Sequence, residues 1–184
     1  MSKRVVAIVV AGVLVVVLAV GLALFQPWRL VTDRTADDAL LLPQATTTTA
    51  SATPGATTSA PVTTTSAPPA GPVALASGPF RSLEHATTGS ATLVRLPDGG
   101  HAVQFEALDT SDGPDLYVYL SDKTSDSPED AFGSGFTNLG ELKANRGNQV
   151  YPVPAGTDLT TVRSVVIWCK RFSAGFAVAP LEQG

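Results

Sequence analysis

The chain has 184 residues, a formal net charge of −4 and a single cysteine. One cysteine excludes an internal disulfide, so packing alone must hold the fold. Beyond residue 72, acidic side chains outnumber basic ones, and such a domain lacks the positive surface that neutralises phosphates. We therefore expect no nucleic-acid partner.

The N-terminus predicts a membrane anchor. Residues 1–4 carry two basic side chains, and residues 5–25 follow without a charge or a proline. A helix of this length crosses a ~30 Å hydrocarbon core, and the basic start favours a cytoplasmic N-terminus. We expect a single-pass protein of the cell membrane with its C-terminal domain outside. Small residues such as Ala19 and Gly21 keep a cleaved secretory signal as the alternative, and either interpretation exports the rest of the chain.

A juxtamembrane segment, 26–42, follows the anchor. Its second part, 31–42, has the spacing of a short amphipathic helix with Asp33 or Thr35 as the cap, and Pro43 would end it. A loosely ordered segment is the alternative prediction.

Residues 43–72 consist almost entirely of Thr, Ala, Ser, Pro and Gly. Such a segment cannot bury enough apolar surface to offset its ordering entropy, and its prolines keep it extended. The composition predicts a disordered stalk, and Thr and Ser beside Pro are also typical of O-glycosylated stalks.

Residues 73–184 show short alternating apolar runs between turn residues, which predicts a single β domain. Turns at 97–100 and at 145–148 are each expected to join two strands as a hairpin. The absence of longer helical patterns favours an antiparallel β-sandwich or a jelly-roll-like domain. The predicted strands are 78–86, 90–96, 101–108, 116–120, 137–143, 149–153, 164–170 and 175–179.

The stretch 165–172 reads as a core strand that is covered on both faces. Period-two alternation places Val166 and Trp168 on one face and Ile167 and Cys169 on the other. Cys169 is then either a small buried hydrophobe or the oxidisable group of a redox site. In a regular strand, Arg171 would share its face.

A set of motifs in this domain resembles the DM-thirteen domain family. The resemblance covers about residues 76–181, and the motifs come in the order of the family. They are Gly78-Pro79-Phe80 with His85 and Gly89, then 113–120, 139–143, 147–154, 165–170 and 176–181.

The resemblance implies an all-β domain that acts in extracytoplasmic electron transfer, a role proposed for the family. Its members often stand beside DOMON domains, which bind haem or sugar. The proposed redox centre of the family is the cysteine of the Trp-Cys motif, either as a bare thiol or as a ligand to a prosthetic group. In this chain that role falls on Cys169.

We consider haem as the cofactor, and the domain offers few side chains that could ligate its iron. Two axial side chains would have to come from Cys169, His85 and His101, because there is no Cys-x-x-Cys-His motif and no spare methionine. His85 lies in the family-like first strand and is the better candidate. The alternatives are a hydrogen-bonded structural histidine at 85 and an exposed strand-start residue at 101.

Further candidates are aromatic and acidic. Trp168 and Tyr151 either line a cofactor or sugar pocket or pack in the core. Asp109, Asp112 and Asp115, followed by an acidic loop over 122–130, either hold calcium or are solvated turn residues. No hydrolase or transferase motif is present.

These observations predict a membrane-anchored accessory redox module with Cys169 as thiol or cofactor ligand, working with a redox partner protein. The alternative is a non-catalytic envelope module that binds a protein or a glycan and has an inert, buried Cys169. A third hypothesis is a metal-stabilised adhesion domain that uses the acidic loops.

Overall fold

The computed structural model describes residues 3–26, 32–42 and 71–181, in which one apolar helix precedes a β-sandwich. This confirms the predicted fold class, an all-β domain behind an N-terminal helix. The elements are α1 (Lys3–Phe25), β1 (Thr35–Asp37), β2 (Val73–Pro79), β3 (Arg81–Ser82), β4 (Thr88–Arg95), β5 (His101–Asp109), β6 (Leu116–Ser121), a 3₁₀ helix (Glu129–Gly133), β7 (Phe136–Glu141), β8 (Arg146–Pro152), β9 (Ser164–Cys169) and β10 (Ala174–Pro180).

The strands form two five-stranded sheets. The first has the order β1-β8-β5-β4-β2, and the second has the order β3-β10-β9-β6-β7. Within them β1 pairs parallel with β8, and the other pairs are antiparallel. The predicted hairpin at 97–100 is confirmed, since it joins the paired strands β4 and β5.

Two apolar clusters hold the sandwich. The main core lies between the sheets and contains alternate residues of the strands, among them Leu93, Val103, Phe105, Leu116, Val118, Leu120, Val165, Ile167 and Cys169. A smaller cluster lies on the outer face of the second sheet, where Phe132 of the 3₁₀ helix packs with Tyr119, Val166, Trp168 and Val178. Strand β9 is therefore buried on both faces, as its sequence predicts.

Helix α1 has 23 residues, none of them buried, and contains the predicted anchor 5–25. At ~1.5 Å per residue it is about 34 Å long, which matches a ~30 Å hydrocarbon core. It is long and apolar enough to cross a membrane, and a signal sequence would have the same properties.

Residues 32–42, which we name the strap, begin along the β8 edge of the first sheet and reach a side chain of β5 at their end. Strand β1 within the strap pairs Thr35 with Arg146, and the backbone N–H of Asp38 donates to Asn148 at 3.0 Å. The predicted helix over 31–42 is wrong in its described part, because the free edge of β8 offers these residues a ladder of hydrogen-bond partners. Gly147, at φ +95°, permits the approach: a Cβ there would lie 2.0 Å from the Ala36 carbonyl oxygen.

Residues 43–70 of the predicted stalk lie outside the described residues. The strap ends at residue 42, where the N–H groups of Leu41 and Leu42 donate to the Gln104 side chain of the central strand β5, and residue 73 begins β2 on the edge of the same sheet opposite β1. The Thr- and Ala-rich stretch therefore connects two parts of the chain that lie on the first sheet. The distance between α1 and the domain is set by residues 26–31, which join the helix to the strap.

The predicted first strand, 78–86, is wrong as a single element. Strand β2 belongs to the first sheet and β3 to the second, and the chain crosses between them at Phe80. Pro79 has no N–H to continue the ladder, and Gly78 passes so close to Pro180 that a Cβ would lie 2.5 Å from that ring. Residues 83–87 form bends and coil.

The second predicted hairpin, at 145–148, is also wrong. Residues 146–148 belong to strand β8, and the preceding residues 142–145 cross from β7 in one sheet to β8 in the other. Asn145 is buried there and ties three segments together: its Nδ2 donates to the Thr110 carbonyl at 2.9 Å, and its Oδ1 accepts from the Arg34 backbone at 2.7 Å.

Candidate functional site

Cys169 is the last residue of β9 and points into the main core. It pairs with Leu116 of β6 on one side and with Ala174 of β10 on the other, and its exposed fraction is 0%. Phe176 belongs to the same cluster. The only thiol of the chain is therefore enclosed, at the point where its strand ends.

Burial raises the pKa of the Cys169 thiol above its ordinary value. The backbone N–H groups of Phe172 and Arg171 act in the opposite direction, because they stabilise a thiolate, and the Asp115 carboxylate adds a further upward contribution. The thiol is consequently protonated at neutral pH. It lacks the thiolate character of a nucleophilic cysteine.

A tight turn covers the thiol. Residues 170–173, which we name the β9–β10 turn, follow Cys169 directly, and Ser173 has φ +51°. Because the strand ends at Cys169, Arg171 does not share its face as a continued strand would require. The Arg171 guanidinium instead donates to the carbonyl of Leu24 in α1.

His85 lies at the same end of the sandwich as Cys169. The chain reaches it beside β10, where the Glu84 N–H donates to the Gly175 carbonyl at 3.2 Å. Its ring packs on Phe176 with centroids 3.8 Å apart and is partly exposed. Phe176 thus touches His85 and belongs to the same core cluster as Cys169.

His101 begins β5 at the opposite end of the sandwich, where it pairs with Arg95. It is partly exposed and cannot join a site that contains Cys169. Of the three predicted haem ligands, the structure thus places Cys169 and His85 at the same end of the domain. These residues do not fit a haem as they stand, because the Cys169 sulfur is enclosed by core side chains and an axial ligand must reach the iron.

Trp168 points away from Cys169 and lines a surface cleft of about 350 Å³. Phe136 stacks on Tyr119 in this cleft with ring centroids 3.9 Å apart and an interplanar angle of 3°. Lys170 and Asp130 supply charged groups to its wall. Aromatic faces beside a cation and a carboxylate are suited to a sugar ring or a planar ligand.

Tyr151 lies in the main core, away from that cleft. Its hydroxyl donates to Gln149 and accepts from the Lys143 backbone N–H at 3.0 Å, and its ring packs on Phe105 at 5.3 Å. Burial raises the pKa of Tyr151 strongly. The structure therefore places the two predicted pocket aromatics in different parts of the domain.

The carboxylates of the acidic loops have separate partners. Asp112 binds Arg34, Asp109 binds Arg146, and the hydroxyl of Thr124 donates to Asp126. Within the described ranges, no group of three or more His, Cys, Asp or Glu side chains could hold a metal ion.

Sequence reasoning missed the ion pair between Arg34 and Asp112. The side chain of Asp112 is 1% exposed, and Arg34 reaches it with Nη2 at 2.9 Å and Nε at 3.3 Å. The Asp112 carboxylate also accepts from the Gly113 N–H at 2.9 Å. No sequence signal links the two residues, since the strap carries no family motif.

Comparison with known proteins places this domain in a family. No curated protein and no solved structure matches the chain. The family model described as "Electron transfer DM13" matches residues 79–181, which include β3 to β10 and Cys169 but not the strap. The chain therefore belongs to the DM13, or DM-thirteen, electron-transfer family.

Proposed function

We propose that the chain is a membrane-anchored, extracytoplasmic electron-transfer module in which Cys169 is the redox group. Helix α1 is the anchor in this proposal, and the β-sandwich is the working domain. The observation that carries the proposal is the place of the only thiol: it lies enclosed at a strand end, directly beneath a four-residue turn, in a domain of an electron-transfer family.

The chemistry of the enclosed thiol favours a one-electron step. With no second cysteine in the chain, an internal disulfide cannot form. The S–H bond of the neutral thiol breaks, the electron passes to a one-electron acceptor held by a partner protein, and the proton is released to solvent water. Electron transfer through protein does not require the sulfur to reach solvent.

The proposal is tested on the full chain in detergent with a one-electron inorganic oxidant, hexachloroiridate, in stopped flow. We expect the wild type to consume one more electron equivalent than Cys169→Ala, and freeze-quenched samples to show the corresponding radical.

Matched controls separate chemistry from folding. Alkylation of native protein should leave Cys169 unmodified, and the thiol should react after denaturation, since it is 0% exposed. Far-ultraviolet circular dichroism verifies that Cys169→Ala is folded. Equal oxidant consumption by the folded wild type and Cys169→Ala would exclude Cys169 as the electron donor.

The aromatic cleft favours a second candidate function, a glycan-binding module of the cell envelope. Phe136 is 39% exposed and stacks on the buried Tyr119 ring. Lys170 and Asp130 lie in the same cleft. Titration with envelope oligosaccharides by calorimetry tests it. Phe136→Ala should abolish binding while Val73→Ala, an exposed apolar position on β2, should not. An unchanged affinity in Phe136→Ala would contradict this assignment.

A further inference from the structure

The end of the sandwich that carries Cys169 is also the end at which the chain arrives from α1. Arg34, near the start of the strap, binds Asp112 in the β5–β6 connection. In the same connection the carbonyl of Asp115 accepts from the Lys170 N–H at 2.9 Å. The first residues of the strap and the β9–β10 turn therefore lie on one end of the domain.

The chain between α1 and the strap is short. Residue 32 follows Phe25 by seven residues, which span at most about 25 Å when fully extended. Strand β5 alone rises about 30 Å over its length. The end with the β9–β10 turn must consequently lie near the end of α1, and the opposite end must lie further away.

Direct contacts join this turn to the end of α1. The Arg171 guanidinium donates to the carbonyl of Leu24, and Phe172 stacks on Phe25 with centroids 6.2 Å apart. The last carbonyls of a helix have no partner within the helix and attract cations. The last turn of α1 contains no basic residue of its own, so Arg171 supplies this cation.

The exposed side chains of the turn fit a lipid interface. Phe172 is 50% exposed beside the basic residues Lys170 and Arg171. Helix α1 is about 34 Å long, so a helix that crosses a ~30 Å core places Phe25 at the level of the headgroups. Phe172 is in contact with Phe25 and reaches the same level.

We propose that the β9–β10 turn is a membrane-contact surface, with Phe172 in the headgroup region of the bilayer that α1 crosses. The inference rests on the anchoring part of the proposed function. The occupant of the surface is phospholipid: Phe172 contributes apolar contact, and Arg171 lies between the helix end and the headgroups. Asp130 lines the same cleft as Lys170 and offsets its charge, so the contact depends mainly on Phe172.

The test uses the full chain in bilayer discs that contain lipid with a nitroxide on the headgroup. A fluorophore is attached at Ser173→Cys or, at the opposite end of the domain, at Ala155→Cys, each in a Cys169→Ser background. We expect severalfold stronger quenching at 173 than at 155. Equally weak quenching at both positions would overturn the proposal.

A second pair of variants separates lipid contact from simple tethering. An insertion of about ten Gly and Ser residues after Arg29 lengthens the connection by up to ~35 Å. Quenching at 173 should survive this insertion and should fall severalfold when Phe172→Ser is added. The matched control, Val73→Ser on the insertion background, changes an exposed apolar residue elsewhere and should retain quenching. Quenching that is unaffected by Phe172→Ser would overturn the proposal.

Intact-mass measurement of the extracted protein distinguishes the two possible failures. A full mass with no quenching at 173 overturns the membrane-contact surface and leaves the anchor in place. A mass that lacks residues 1–25 overturns the anchor, and the contact surface with it. The number of oxidant equivalents that Cys169 consumes does not depend on either result.

Discussion

Arg34→Met tests whether the strap is held by its ion pair. The substitution keeps much of the side-chain volume and removes the charge that faces Asp112. The Asp112 side chain is 1% exposed, so a buried carboxylate would lose the Arg34 charge. We expect the strap to be destabilised together with the β5–β6 connection.

The magnitude follows from the surroundings of the pair. Removing one partner of a fully buried pair costs ~3–5 kcal/mol. Arg34 is 42% exposed, so water screens part of the interaction, and the Gly113 N–H still binds Asp112. We therefore expect the free energy of unfolding to fall by roughly 2 kcal/mol, which shifts a urea midpoint by about 1 M.

The assay is a double-mutant cycle with Arg34→Met and Asp112→Asn, read by urea unfolding of the full chain in detergent. A coupling energy of roughly 1–2 kcal/mol is expected. Arg95→Met, an exposed position on β4, is the matched control and should change stability by less than ~0.5 kcal/mol. A coupling energy near zero would refute the inference that this ion pair holds the strap on the domain.

Three further substitutions test other parts of the fold. Burial raises the pKa of Cys169, so the folded chain keeps its thiol proton to a higher pH than the unfolded chain, whose thiol titrates near ~8.5. Unfolding curves between pH 7.5 and pH 9.5 should therefore show wild-type stability falling above about pH 8.5, by at most ~1.4 kcal/mol per pH unit, and Cys169→Ala should lack this component. Gly147→Ala should release β1 while the sandwich remains folded, because its Cβ would meet the Ala36 carbonyl at 2.0 Å, and faster amide exchange in the strap would reveal it. Tyr151→Phe should lower the free energy of unfolding by ~1–3 kcal/mol in the same urea assay, since the buried Gln149 loses its hydroxyl partner.

The sequence predicts the inner faces of the strands well, because period-two alternation reports directly on burial. Val165, Ile167 and Cys169 point to one core, and Val166 and Trp168 to the other cluster, as the pattern indicates. The same rule separates Trp168 from Cys169. A site that used both side chains together was therefore already unfavourable from the alternation alone.

Pairings between distant segments are not contained in such local patterns. Arg34 and Asp112 are 78 positions apart, and nothing near either residue specifies the other. Strand β1 has three residues, too few for a periodic signal, and its pairing depends on an edge of β8 that exists only in the folded sheet. Residues 31–42 have the local spacing of a helix, but the pairing with β8 determines the structure of their described part.

The strap also changes what the Thr- and Ala-rich stretch does to the stability of the molecule. Docking the strap closes a loop of about 28 residues, and the entropic cost of closing a chain of that length is ~3 kcal/mol. The Arg34 pair contributes roughly 2 kcal/mol of the opposing free energy, and the short β1 ladder with the pair of Lys143 and Asp38 adds to it. These opposing contributions are of similar size, so the docked strap is only modestly stable. Loss of the Arg34 pair therefore weakens the docking of the strap on the domain.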